Sequence, residues 1–153
     1  MDIDRYDNVE RSADFKRYSF ISKGPKGDLL KLVKFSSFSQ IPDSHNLALG
    51  TIRGEITDYN ETTNNNDRDK VLAAVFYIAQ IFSHRYPEQK IFIKGRNGVT
   101  TRLYRGAINR VYKEIIKEYF IYGGFYAAAT NNYDFELFDG NRYYEAFLFE
   151  RRF

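Results

Sequence analysis

A strand pattern of apolar and polar positions opens at Lys16, in KRYSFIS (16–22), and continues in DLLKLVKFSSF (28–38) and HNLALGTI (45–52). Between the first two, KGPKG (23–27) carries two glycines and a proline, which suits a hairpin loop with Lys23 and Lys26 at its tip. Pro42 and Asp43 mark the turn before the third strand. After the polar stretch TDYNETTNNNDRD the period lengthens. Val71, Val75, Ile78 and Phe82 recur at i, i+4, i+7 and i+11, with Leu72 and Ala79 beside them. They predict a helix that starts near Asn66 or Asp67, whose side chains can cap free N–H groups, and stops before Pro87.

KIFIKG (90–95) reads as a short strand. Tyr104, Ile108, Val111, Ile115 and Tyr119 then predict a second helix, from Thr100 or Thr101 to about Tyr119. FIYGGFYAAA, YDFELF and RYYEAFLFE return to strand patterns, the last two joined at Asp139-Gly140 as a hairpin. A two-residue loop there sets Asp134 opposite Glu145, a like-charge pair that speaks against that register. The expected fold is α+β: a twisted, mostly antiparallel sheet with two helices packed on one face. One domain spanning 1–153 is expected, with 1–14 as a mobile or late-docking tail.

Composition sharpens this picture in two places. Thirteen Tyr and fourteen Phe, with no Trp and one Met, imply a core and sheet built from rings. The absence of cysteine removes disulfides, thiolate catalysis and cysteine-based zinc sites. The start MDIDRYDNVE is acidic and no stretch approaches the roughly 18 unbroken apolar residues of a membrane span, so a soluble cytoplasmic protein is expected.

The formal net charge of +3 is unevenly spread. Lys90 to Lys117 holds eight Lys/Arg against one acid, a net of +7, whereas Gly54 to Asp69 holds five acids against one Arg, a net of −4. On the second predicted helix, Arg102, Arg105, Arg110, Lys113 and Lys117 fall within an arc of about 140°, opposite the apolar stripe. Just ahead of it, KGRNGVTTRLYRG leads a strand through two glycines into a helix start. Such a start presents free N–H groups and a positive dipole end. Lys94, Arg96, Thr101, Arg102, Tyr104, Arg105, Lys113 and Lys117 are therefore the candidate anion-binding or nucleic-acid-binding residues. Tyr104 is the candidate stacking ring.

Other motifs carry less. GRNG resembles the GXXG loop of KH domains, but that loop joins two helices and a strand precedes this one. The acidic stretch lacks a calcium-loop pattern, and Glu88 to Lys90 matches only three residues of a metal-dependent nuclease element. His45 and His84 join no nucleophilic arrangement, and neither a catalytic set, a metal site nor a cofactor is expected.

HNLALG, NNNDRDKVLAAV, YPEQKIFIKG and TRLYRGAI, in this order, resemble a family of small uncharacterised bacterial proteins. The resembled pattern has an Asn-Asn-Gly-Asp-like helix start and an Arg-Thr-Arg-Leu-Tyr-like segment. Here Asn66 stands for the glycine and Thr100 for the first arginine. The resemblance implies one shared design for both segments. From it we expect Asn65, Asn66, Asp67 and Asp69 to form a shared polar site with the Thr-Arg-Leu-Tyr start.

Three functions are consistent with these features. The foremost is a phosphate-recognising module for single-stranded or structured nucleic acid. The second is a protein-interaction module, a homodimer or a binder of an acidic protein, without nucleic acid. The third is an enzyme on a small phosphorylated substrate, with Asp67 or Asp69 as acid–base group or metal ligand and Arg102 as clamp. A membrane partner is not expected.

Overall fold

A computed structural model of the chain describes residues 4–59 and 65–153. Residues 1–3 of the expected tail and 60–64 of the polar loop lie outside the described residues. The chain is α+β: among the described residues it has two helices and a nine-stranded, mostly antiparallel, open sheet. The strands are β1 (Glu10–Arg11), β2 (Arg17–Gly24), β3 (Gly27–Ser37), β4 (Ser44–Arg53), β5 (Ile56–Asp58), β6 (Lys90–Lys94), β7 (Tyr119–Ala127), β8 (Asn132–Leu137) and β9 (Ala146–Arg151). The helices are α1 (Arg68–Arg85) and α2 (Gly98–Ile115). Neighbours run in the order β1-β2-β3-β4-β6-β9-β7-β8, with β5 paired to β4.

The chain divides into two compact units: Met1–Ser36 with Leu47–Arg85, and Ser37–Asn46 with Tyr86–Phe153. In the first unit the β2–β3 hairpin closes at Gly24↔Gly27, as its glycine-rich loop predicts. Alternate residues Tyr18, Phe20 and Ser22 of β2 are buried, as one face of a strand requires. Phe35 stacks on Phe82 of α1 with ring centroids 4.0 Å apart. That pair ties the sheet to the helix stripe read from the sequence. The N-terminal segment lies against the same unit: Tyr6 stacks on Phe20 at 5.6 Å, and the Arg5 guanidinium sits 4.0 Å over Tyr77. Phe15 takes the left-handed φ of 63°, and its ring is covered by the guanidinium groups of Arg11 at 3.5 Å and Arg85 at 5.7 Å. Such a backbone is costly for a bulky residue, and the two cation–π contacts offset part of that cost.

In the second unit the first residues of β4 run parallel to β6, with Ser44 opposite Lys90. β6 then pairs antiparallel with β9, and β9 with β7. Its core gathers around Phe92, Ala146 and Leu148, with Phe38, Ile41, Tyr122, Tyr133 and Phe135 packed on it.

Two sequence expectations need correction. The 133–138 and 142–150 segments do not form a hairpin through Asp139-Gly140. Instead β7 and β8 pair directly, Phe125 opposite Asp134, and β9 inserts between β6 and β7. The reason is burial: β9 begins with fully buried Ala146, Phe147 and Leu148 and needs neighbours on both edges, whereas β8 is only partly buried and ends the sheet. The like-charge pair of Asp134 and Glu145 therefore never arises. The second helix starts at Gly98 and ends at Ile115, because Tyr119 is the buried first residue of β7.

Candidate functional site

The junction between β6 and α2 is built around Asn97. Its backbone is extended, and its Oδ1 accepts from the Thr100 amide at 2.9 Å and the Thr100 hydroxyl at 3.1 Å. The Thr101 hydroxyl donates to the Asn97 carbonyl at 2.9 Å. The hydroxyl of Thr101, a candidate anion ligand, and that of its neighbour Thr100 are thus both engaged in starting the helix. Gly95 is buried against this start; a Cβ there would stand 2.2 Å from the Thr101 Oγ1 and 2.4 Å from its amide nitrogen. Lys94, Arg96 and Arg102 are exposed around it, and Arg102 Nε reaches back to the Gly98 carbonyl at 3.3 Å.

Further along α2, Arg102, Arg105 and Asn109 share one face, since steps of three and four residues bring side chains into line, whereas Lys113 follows a kink at Val111, whose φ of −112° and ψ of 15° leave helical geometry. Three donors converge on one acceptor. Arg105 Nη2 and Nε and Asn109 Nδ2 donate to the Gly140 carbonyl at 2.9, 3.3 and 3.3 Å. Arg105 also lies over the ring of Tyr143, 4.6 Å from its centroid. Tyr143 is 67% exposed. Its segment is held from below by Tyr144, whose hydroxyl accepts from the Asp139 amide at 2.9 Å. The Tyr144 ring lies flat on Gly123, where a Cβ would stand 2.4 Å away. Burial pushes the Tyr144 hydroxyl above its ordinary pKa. The Asp139 carboxylate accepts from the Asn141 amide at 2.9 Å, and the Glu145 amide donates to the Gly124 carbonyl at 2.9 Å.

The remaining residues of this set are placed as follows. Lys113 and Arg110 are exposed, while Lys117 lies past the helix end and pairs with Glu114 at 3.3 Å. Tyr104 is half-buried, and burial raises its hydroxyl pKa, with Arg96 pulling the other way. Tyr143 is the exposed ring beside the basic face. The pair Tyr143-Tyr144 gave no sign of which ring turns outward, because both lie outside any strand and no alternation of faces applies there. Asn109 and Gly140 gave none either, because their meeting depends on where the 139–145 segment crosses the helix.

The other candidate set belongs to the first unit. Asp67 Oδ2 accepts the Ser22 hydroxyl at 2.5 Å and the Tyr6 hydroxyl. Asn65 Nδ2 donates to the Gly27 carbonyl at 2.9 Å and to Ser22 Oγ at 3.2 Å, while its Oδ1 accepts from the Lys26 amide at 2.7 Å. Tyr6 is also raised in pKa, by burial first and by its bond to Asp67 next. Asn66 takes φ 58°, the left-handed region that glycine and asparagine enter most cheaply, a backbone reason for exchanging the two there. Asp69 pairs with Arg68 at 3.8 Å, outside this network.

Asn65 and Asp67 thus join the N-terminal segment, the β2–β3 hairpin and the start of α1. Asp67→Ala is expected to destabilise the protein by about 1–3 kcal/mol, because fully buried Ser22 loses its carboxylate acceptor and the Tyr6 hydroxyl keeps only the longer bond to the Lys23 carbonyl at 3.3 Å. Urea denaturation checks it; an unchanged midpoint would show that the network carries no stability.

Asn65, Asn66, Asp67 and Asp69 lie in one compact unit, and the residues from Lys94 to Lys117 in the other. Among the described residues no group of three or more His, Asp or Glu is arranged to hold a metal ion. No helix among them is long and apolar enough to cross a membrane. A model of a family of unknown function, DUF6934, matches residues 2–152. No curated protein and no solved structure matches the chain.

Proposed function

The chain belongs to DUF6934, a family of unknown function, and we propose that its second unit is a phosphate-recognising module that binds nucleic acid. The observation that carries this reading is the exposed basic face of α2: Arg102, Arg110 and Lys113 are solvent-facing, and Lys94 and Arg96 stand exposed ahead of the helix. Glu114, the acid among them, is paired with Lys117. Cations in water gain from a polyanion chiefly by displacing its condensed counterions, which needs charge in a row and no enclosed pocket. A helix face supplies such a row. The Thr100 and Thr101 hydroxyls are spent on the cap, so in this reading phosphate is held by guanidinium and ammonium groups.

The test is a fluorescence-anisotropy titration of a labelled single-stranded oligonucleotide at several salt concentrations. Three or four phosphate contacts give a slope of log affinity against log salt of about −2 to −3, each contact on a single strand contributing about −0.7. Absence of binding at low salt, or affinity indifferent to salt, would remove the proposal.

A further inference from the structure

We infer that Tyr143 is a stacking platform for an unpaired base, so that the polyanion bound by α2 is single-stranded; this rests on the phosphate reading above. Three observations converge on it. The first is exposure. Tyr143 leaves 67% of its surface in water, while its neighbour Tyr144 is buried at 4%.

The second is rigidity. Residues 139–145 are pinned by the bonds of Arg105 and Asn109 to the Gly140 carbonyl, by the Tyr144 hydroxyl on the Asp139 amide, and by the Glu145 amide on the Gly124 carbonyl. A ring on such a segment loses little freedom when a base lands on it. An exposed ring on a loose loop would forfeit most of the stacking gain to ordering.

The third is placement. Arg105 lies one helical turn from Arg102, and its guanidinium sits 4.6 Å from the Tyr143 centroid. The ring therefore stands beside the cation row. Arg105 is already bonded to the Gly140 carbonyl, which makes it a positioning residue for the ring. A guanidinium on one face leaves the ring's other face to take a base, and every base has a π-face, so the contact is tolerant of sequence. In a duplex the bases are stacked on each other and offer the ring no free face.

The experiment uses the full chain as wild type, Tyr143→Ala and Tyr143→Phe, with melting temperatures compared first. Each is titrated with a single-stranded oligonucleotide, an abasic strand of equal length and charge, and the matching duplex. Wild type is expected to bind the base-bearing strand about tenfold more tightly than the abasic strand, the gain of roughly one stacked base. Tyr143→Ala loses that factor on the base-bearing strand and changes nothing on the abasic one. Tyr143→Phe retains it. Equal binding of abasic and base-bearing strands, or an unaffected Tyr143→Ala, overturns the stacking platform while leaving phosphate binding intact. A duplex bound as tightly as the single strand overturns it likewise. Failure of wild type to bind any of the three overturns both readings.

Discussion

An Arg102→Glu/Lys113→Glu variant is expected to bind single-stranded nucleic acid at least about 100-fold more weakly than wild type while melting at nearly the same temperature. Each reversal removes one phosphate contact and places a carboxylate where the backbone would run. Like charges brought together at an interface cost several kcal/mol. The fold has little reason to respond. Both side chains are exposed, and the bond of Arg102 Nε to the Gly98 carbonyl is long at 3.3 Å. On the helix dipole the two changes oppose each other. A carboxylate nearer the N-terminus is favourable and one nearer the C-terminus unfavourable, each by about 0.3–1 kcal/mol. Lys23→Glu/Lys26→Glu makes the same change in net charge on the β2–β3 hairpin tip of the other unit. That control is expected to stay within a few-fold of wild type. Should both variants lose affinity equally, binding would follow net charge alone and the α2 face would have no special part.

Gly95→Ala is expected to be the most destabilising single-methyl change near the site. Its Cβ would stand 2.2 Å from Thr101 Oγ1, 2.4 Å from Thr101 N and 2.7 Å from Thr101 Cα. Two of those atoms are backbone, so no rotamer relieves the clash. The start of α2 must move, and with it the Asn97 cap. Overpacking of this kind costs about 3 kcal/mol. For a chain of this size that is a fall in melting temperature of about 10 °C. Gly98→Ala is the matched control, since nothing lies within 4 Å of a Cβ there and the residue is the first of α2. It is expected to hold or raise the melting temperature, because alanine is the better helix former. Scanning calorimetry on the pair decides the matter; a Gly95→Ala protein that melts like wild type would show that the strand-to-helix junction yields freely.

How much of this was legible beforehand differs between elements. The stripe Val71, Val75, Ile78 and Phe82 predicted α1 almost to its ends, because a helix of five turns repeats its signal several times. The end of α2 was not readable. Tyr119 continues the i+4 spacing from Ile115, and the spacing is blind to the turn at 116–118, where the chain leaves the helix to enter β7. The β8–β9 hairpin failed for a related reason. Asp139-Gly140 is good turn chemistry, yet these residues lead into the segment that crosses α2, and Gly140 gives its carbonyl to Arg105 and Asn109.

The sequence by itself determined the fold class, the two helices and the concentration of positive charge between Lys90 and Lys117. All three are written in residues close together along the chain: period, capping chemistry and charge are local quantities. The tertiary structure alone decided that β9 lies between β6 and β7 and that Tyr143 is the exposed ring under Arg105. Each depends on segments distant in sequence competing for the same burial or the same hydrogen-bond partner. That competition is settled only when the whole core is packed.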